Sequence, residues 1–569
     1  MHLKKTYKPT VFLIILILFI ATIPTINAQP IQPLKHDYSQ IPFNEETLNN
    51  RRFLWQTPTN PPPPNGYPVL FLLHGATQYA ETWFFDGQPG IKGSFTWGKR
   101  QTAFTQQALN QGYMVIAPDS QRHLPFGPKA WHSRIPTVDE NPDLQFILNI
   151  IYWLQNHTIP INHSYLCCIG FSSGGYMTSR IGLTLGSYFK TLAIQAGALA
   201  DSLHPSDTQN HPPTLIIHGV KDTLVPVTLG ISLYQNLLDN NVSTHILLNP
   251  WGRHIWQSVF NQSVFNWFNY GSHAPRPPTQ PTTGPGSVNY THSKVTSSTY
   301  GRGEFQYWLF EPANPTPTTA PLIIFNHGWG AQFPSTYQPW IDHIVKQGNI
   351  VVYPRYQKSL VFGYKRFTDN AITAVKNALI ELQNPEHVTP DLENVAITGH
   401  SLGGGITAYM AARAAAEGLP IPKAIMPVQP ALPFGDSADL TQIANTTNML
   451  VIVGANDTIV YNYSGVTIFK NSTQIPLSQK DFIIQITDTH GFPPLLADHG
   501  APACAYNNSF IQVDAMDYYS TWKLFDALMD YSFFGTNKEY CFDNTPEQRF
   551  MGLWSDGTPV AELLVTDSP

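Results

Sequence analysis

Charge is scarce in this sequence of 569 residues: Asp, Glu, Lys and Arg make up only 12% of it, about half the usual ~25%. What charge there is does not favour cations, since 32 Lys+Arg face 38 Asp+Glu. A basic footprint for nucleic acid is therefore not expected. The low charge is not that of a membrane protein either. Hydrophobic residues are 42% of the chain and mean hydropathy is −0.16. Beyond the N-terminal run, no stretch approaches the ~18 apolar residues of a spanning helix. Cysteine is also rare, with four residues, so a disulfide scaffold is excluded. No His-Glu-x-x-His motif occurs, and the 20 histidines show no metal-ligand spacing, so no metal or cofactor is expected. Gly93 to Arg100 resembles a phosphate-binding loop, but Arg100 stands where Ser or Thr would reach Mg²⁺.

What is present begins with an export signal. Lys4, Lys5 and Lys8 precede the apolar run Val11 to Ile20, and Ala28 provides a small residue for cleavage. Residues 1–28 read as a signal peptide, leaving a secreted or periplasmic chain with no stable membrane anchor. The remainder carries a charge of −9. Export permits a bridge between Cys504 and Cys541, whereas Cys167 and Cys168, adjacent in an apolar strand, read as buried free thiols.

The clearest composition break is the Pro/Thr/Gly-rich stretch 271–298, which reads as a semi-rigid linker. It divides residues 29–270 from residues 299–569. On each side apolar strands alternate with amphipathic helices, the pattern of a mostly parallel α/β sheet. Strands are expected at Val69–Leu73, Tyr113–Ala117, Tyr165–Ile169 and Thr214–Ile217 in the first half. In the second they are expected at Leu322–Phe325, Ile350–Tyr353, Val395–Thr398 and Leu450–Val453.

Each half carries one Gly-x-Ser-x-Gly motif between a strand and a helix: Gly170-Phe171-Ser172-Ser173-Gly174 and Gly399-His400-Ser401-Leu402-Gly403. In that context the motif is a nucleophile elbow. The serine needs a base and an orienting acid, in the chain order Ser, Asp, His. Asp222 follows the strand ending at Ile217, and His254 follows by 32 residues. Asp457 follows the strand ending at Val453, and His490 follows by 33. The serine-to-aspartate spacings, 50 and 56, also agree. His499 is the alternative to His490, nine residues farther from its strand. The N–H groups of Ser173 and Leu402 are expected to stabilise an oxyanion, with second donors at Ala76 and Trp329, or at Thr77 in place of Ala76. His74 and His327 read as braces of those donor loops. Trp131, Trp251, Trp329 and Trp340 read equally as core residues or as the lining of an ester cleft.

These motifs identify two tandem domains of the α/β-hydrolase superfamily. The first half resembles the polyhydroxybutyrate depolymerase and feruloyl esterase group through Leu72-Leu73-His74-Gly75, Trp131, Gly170 to Met177, and His218-Gly219 before Asp222. The second resembles the broader lipase, cutinase and polyester-hydrolase group through His327-Gly328-Trp329, Gly399 to Gly404 and Asp457. The resemblance implies a serine esterase acting on small or polymeric esters. A serine peptidase of the same fold is one alternative. A single catalytic half joined to a substrate-binding half is another.

Overall fold

The computed structural model describes residues 40–85, 97–123, 129–199, 208–250, 252–359, 364–506, 509–510 and 513–569. The signal segment, Trp251 and residues 93–96 of the phosphate-loop-like stretch lie outside them.

The first half forms an eight-stranded sheet. Its strands are β1 (Asn44–Leu48), β2 (Arg51–Gln56), β3 (Tyr67–Leu73), β4 (Met114–Pro118), β5 (Ile161–Phe171), β6 (Thr191–Gln195), β7 (Thr214–Gly219) and β8 (Thr244–Asn249). The spatial order is β1-β2-β4-β3-β5-β6-β7-β8. Only β2 runs against the rest; β1, antiparallel to β2, shares the direction of the other strands. Helices α1 (Trp97–Asn110), α2 (Pro142–Asn156), α3 (Ser173–Thr184), α4 (Val227–Asp239) and α5 (Asn261–Tyr270) flank it. Strands such as Val69 to Leu73 read as unbroken apolar runs because the sheet is covered on both faces. Cys167 and Cys168 show the consequence of the pleat: one thiol enters the core on one face, its neighbour the core on the other. Both are free and fully buried.

The second half repeats the plan strand for strand. Its sheet comprises β9 (Lys294–Tyr300), β10 (Tyr307–Ala313), β11 (Thr319–Asn326), β12 (Ile350–Pro354), β13 (Thr389–His400), β14 (Ala424–Val428), β15 (Asn448–Gly454) and β16 (Lys480–Gln485), with an added edge strand β17 (Leu564–Thr566). The order is β9-β10-β12-β11-β13-β14-β15-β16-β17. Helices α6 (Gln338–Lys346), α7 (Phe367–Glu381), α8 (Leu402–Glu417), α9 (Tyr463–Asn471) and α10 (Lys523–Phe534) cover it. These are two mixed, mostly parallel sheets flanked by helices, the α/β-hydrolase architecture.

Strand β9 starts at Lys294, inside the stretch expected as linker, because it pairs antiparallel with β10. The proline-rich segment before it is held against the second half. The Gly286 N–H donates to Asp526 Oδ2 (2.8 Å), and the Ser555 N–H donates to the Arg276 carbonyl (3.0 Å).

The expected Cys504–Cys541 bridge is absent; both cysteines are free thiols. Each is committed to a different neighbour. Cys504 Sγ lies 3.3 Å from the Thr336 carbonyl and Cys541 Sγ 3.4 Å from that of Lys538. Burial pushes the Cys504 thiol up to about 11, so it carries little thiolate for exchange at neutral pH.

Candidate active sites

Each elbow serine closes the turn between a central strand and the helix behind it. Ser172 has φ 55° and Ser401 φ 57°, in the region an L-residue avoids. Their N–H groups are captured by the next strand, Ser172 by the Gln195 carbonyl (2.9 Å) and Ser401 by that of Val428 (3.0 Å). The flanking glycines are required by proximity. A Cβ on Gly174 would stand 2.2 Å from the Leu73 carbonyl oxygen, and one on Gly403 2.1 Å from that of Asn326.

In the first half, His254 Nε2 lies 2.9 Å from Ser172 Oγ, and His254 Nδ1 lies 2.7 Å from Asp222 Oδ2. The other carboxylate oxygen of Asp222 accepts the N–H groups of Leu224 (2.9 Å) and Val225 (2.8 Å). All three residues expected from the sequence are brought together.

In the second half the partner of Ser401 is His499, not His490. His499 Nε2 lies 3.0 Å from Ser401 Oγ and Nδ1 2.7 Å from Asp457 Oδ2. Asp457 Oδ1 accepts the N–H groups of Ile459 (2.9 Å) and Val460 (3.1 Å), as Asp222 does in its half. Burial pushes the Asp457 carboxyl up, but the hydrogen bond and charge of His499, with these amides, outweigh it and hold it below the usual range. His490 is exposed and faces Asp556 Oδ2 at 2.8 Å. Its near-equal spacing to that of His254 is a coincidence. Residues 488–495 form an excursion, closed by paired Asp488–Leu495 backbone hydrogen bonds, that delays the histidine.

The donor loops agree between halves. In the first, the Gly75 N–H goes to Gln78 Oε1 (2.7 Å) and the Thr77 N–H to the Lys129 carbonyl (3.0 Å). The Ala76 N–H between them has no partner among the described residues. Thr77 is thus removed as a donor. In the second, the Gly328 N–H goes to Tyr337 Oη (3.1 Å) and the Gly330 N–H to Gln357 Oε1 (2.9 Å). The Trp329 N–H is left in the same way, as are those of Ser173 and Leu402 at the first turn of their helices. His74 braces its loop by donating from Nδ1 to the Gly75 carbonyl (2.8 Å) while Nε2 accepts the Ser120 N–H (3.2 Å). His327 sits between the carbonyls of Gly328 and Arg355, and burial lowers its pKa to about 4. Trp131 and Trp340 are core residues, whereas Trp329 is 38% exposed at its loop.

The sequence reading did not find the polar chain behind Ser401. Tyr337 Oη lies 2.8 Å from His400 Nδ1, and His400 Nε2 lies 3.2 Å from Gln429 Oε1. Gln429 Nε2 in turn donates to the Asp498 carbonyl (2.7 Å), next to His499. Burial is the main reason that the His400 pKa falls to about 3. The position has Phe171 in the first half, so His400 within the motif was the available signal.

A serine hydroxyl hydrogen-bonded to an imidazole, itself held by a buried carboxylate, is an activated nucleophile. Free N–H groups beside it receive negative charge developing on a carbonyl oxygen. Fold and site together define a hydrolase of the serine type. The chain belongs to the α/β-hydrolase superfamily. It is 30% identical over 243 residues to the poly(3-hydroxyoctanoate) depolymerase of Pseudomonas fluorescens, covering 84% of that protein and 41% of this chain. Dipeptidyl-peptidase 5 of Aspergillus fumigatus is 24% identical over 244 residues, but there the match spans only 31% of the relative and 36% of this chain. The chlorophyllase family profile matches residues 286–437. A solved thermostable esterase is similar over 40% of this chain and 62% of its own, at 18% identity and a TM-score of 0.30. Among the described residues no helix is long and apolar enough to cross a membrane.

Proposed function

We propose that the protein is an exported carboxylic ester hydrolase with two active sites, one in each half. The observation that carries this reading is the duplicate Ser–His–Asp geometry, at Ser172–His254–Asp222 and Ser401–His499–Asp457. In each site the serine Oγ attacks the ester carbonyl carbon as its proton passes to the histidine Nε2. The tetrahedral oxyanion takes hydrogen bonds from the N–H groups of Ala76 and Ser173, or of Trp329 and Leu402. The C–O bond then breaks and the imidazolium returns its proton to the leaving alkoxide. Water, deprotonated by the same histidine, attacks the acyl-serine and releases the acid and the free serine. The aspartate holds the Nδ1–H tautomer and stabilises the imidazolium throughout.

Polyesters of hydroxyalkanoates are the substrate class we favour, because the 30% identical relative is a depolymerase of such a polymer. The basic, then apolar N-terminus with Ala28 supports export. The test is hydrolysis of poly(3-hydroxyalkanoate) film, p-nitrophenyl esters and dipeptide amides by the full chain and by Ser172→Ala and Ser401→Ala. Both single variants are expected to retain ester turnover. Inert esters with cleaved dipeptide amides would replace the reading by a peptidase, the activity named for the Aspergillus relatives. Loss of all turnover in one variant alone would make the other half a binding module.

A further inference from the structure

The delayed histidine of the second half has a structural cause that involves the first half. After β8, His254 follows five residues past Asn249, whereas after β16, His499 follows fourteen residues past Gln485. The added residues form the 488–495 excursion, and its tip is buried in the other half of the protein. Phe492 is 7% exposed and belongs to the apolar core of the first half. Its ring lies 5.5 Å from that of Trp267 and 4.5 Å from that of His245. Leu496 packs against the same core. The side-chain amide of Asn266, on α5, donates to the Thr489 carbonyl and faces those of His490 (3.2 Å) and Gly491 (3.5 Å). The Phe492 N–H donates to the Pro275 carbonyl (2.8 Å).

From this anchor the chain returns directly to the site. The Ala497 N–H donates to Thr487 Oγ1 (2.9 Å), and its carbonyl accepts the Asn456 N–H (3.0 Å), one residue before Asp457. Asp498 is held by Gln429, and His499 follows. The imidazole is therefore three residues from a side chain packed on the first half and seven from one buried in it. Among the described residues, the first half shows no such anchor in the second for its histidine loop. Its shorter histidine loop is tied within itself by Gln257, which donates to the Arg253 carbonyl (2.8 Å) and the Ile255 carbonyl (2.9 Å).

We infer that the first half completes the second active site: Phe492 and Asn266 are positioning residues that hold the His499 loop in register with Ser401. The dependence runs one way. A fourteen-residue connection released from its anchor samples many geometries, and a displacement of about 1 Å between nucleophile and base costs up to about a hundredfold in rate. This inference rests on the reading of Ser401 as a nucleophile.

The test uses the full chain. Phe492→Ala, Phe492→Leu and Asn266→Ala are each placed in the Ser172→Ala background, which isolates the second site, and in the Ser401→Ala background, which isolates the first. Fluorophosphonate labelling rate, kcat and KM on a p-nitrophenyl ester, and thermal unfolding are measured. Phe492→Ala is expected to slow labelling of Ser401 and lower its kcat by about tenfold or more, with KM within about twofold. Phe492→Leu should recover most of that loss. Asn266→Ala, which leaves the apolar contact in place, should give a smaller loss of the same kind at an unchanged unfolding temperature. The first site should keep its rate in all three. If Ser401 labels at the parent rate in Phe492→Ala and Asn266→Ala, the inference is overturned. If Ser401 does not label even without these substitutions, the reading of the second site falls instead.

Discussion

The two halves use one sheet order and one elbow geometry, yet they build the surroundings of the serine differently. Ser172 has the apolar Phe171 before it, 5.2 Å from the His254 ring. Ser401 has His400, 4.7 Å from the His499 ring and hydrogen-bonded to Tyr337 and Gln429. The first histidine loop is short and internally tied; the second is long and leans on its neighbour. Strand register and backbone N–H placement thus define the chemistry, while the support of the base is free to vary, because an imidazole needs only to be held, by whatever packs behind it.

The comparison can be broken at its strongest point first. His499→Ala and His254→Ala should each lower turnover at their own site by about a thousandfold or more, measured in the background lacking the other serine. Equal losses support equivalent bases; a small loss at His499 would separate the two sites. Next come the glycines behind the elbows. Gly174→Ala and Gly403→Ala force a Cβ against backbone, and each should destabilise its half by about 3 kcal/mol, read as a shift in denaturant midpoint.

A third prediction concerns pH. Buried neutral in the fold, His400 has a pKa near 3 against an unfolded 6.5. Its contribution to stability is complete above about pH 6.5 and is lost as pH falls toward 3, with a slope of up to about 1.4 kcal/mol per pH unit. His400→Phe, which copies the first half, should lower stability at pH 8 by about 1–3 kcal/mol through loss of the buried His400 hydrogen bonds to Tyr337 and Gln429. It should also flatten the acid dependence of thermal unfolding between pH 4.5 and 6.5. A parallel shift at all pH values would contradict the buried-neutral reading. The smallest effect belongs to His490→Ala. Loss of an exposed imidazole that faces Asp556 should change stability by no more than about 0.5 kcal/mol and leave Ser401 turnover intact.

Much of this was legible in the sequence, for local reasons. Strands buried on both faces read as apolar runs, and the elbow is a five-residue motif between strand and helix, even though the carbonyls that demand its second glycine, Leu73 and Asn326, are distant in the chain. The first triad followed because β7 and β8 lead straight to Asp222 and His254. The second failed at one residue. Equal spacing was the guide, but spacing measures chain length, and the 488–495 excursion spends residues on a contact with the other half. The cysteine pairing failed for a related reason: two thiols in a chain read as exported satisfy a redox argument, while their directions toward Thr336 and Lys538 are set by tertiary packing. The Tyr337–His400–Gln429 chain joins residues up to 92 apart, which no local pattern reveals.

The central claim is that the chain holds two competent nucleophiles. Intact-mass analysis after saturation with a fluorophosphonate tests it directly. Two adducts are predicted on the parent chain, one on Ser172→Ala, one on Ser401→Ala and none on the double variant. A single adduct on the parent, lost entirely in one of the single variants, would contradict it.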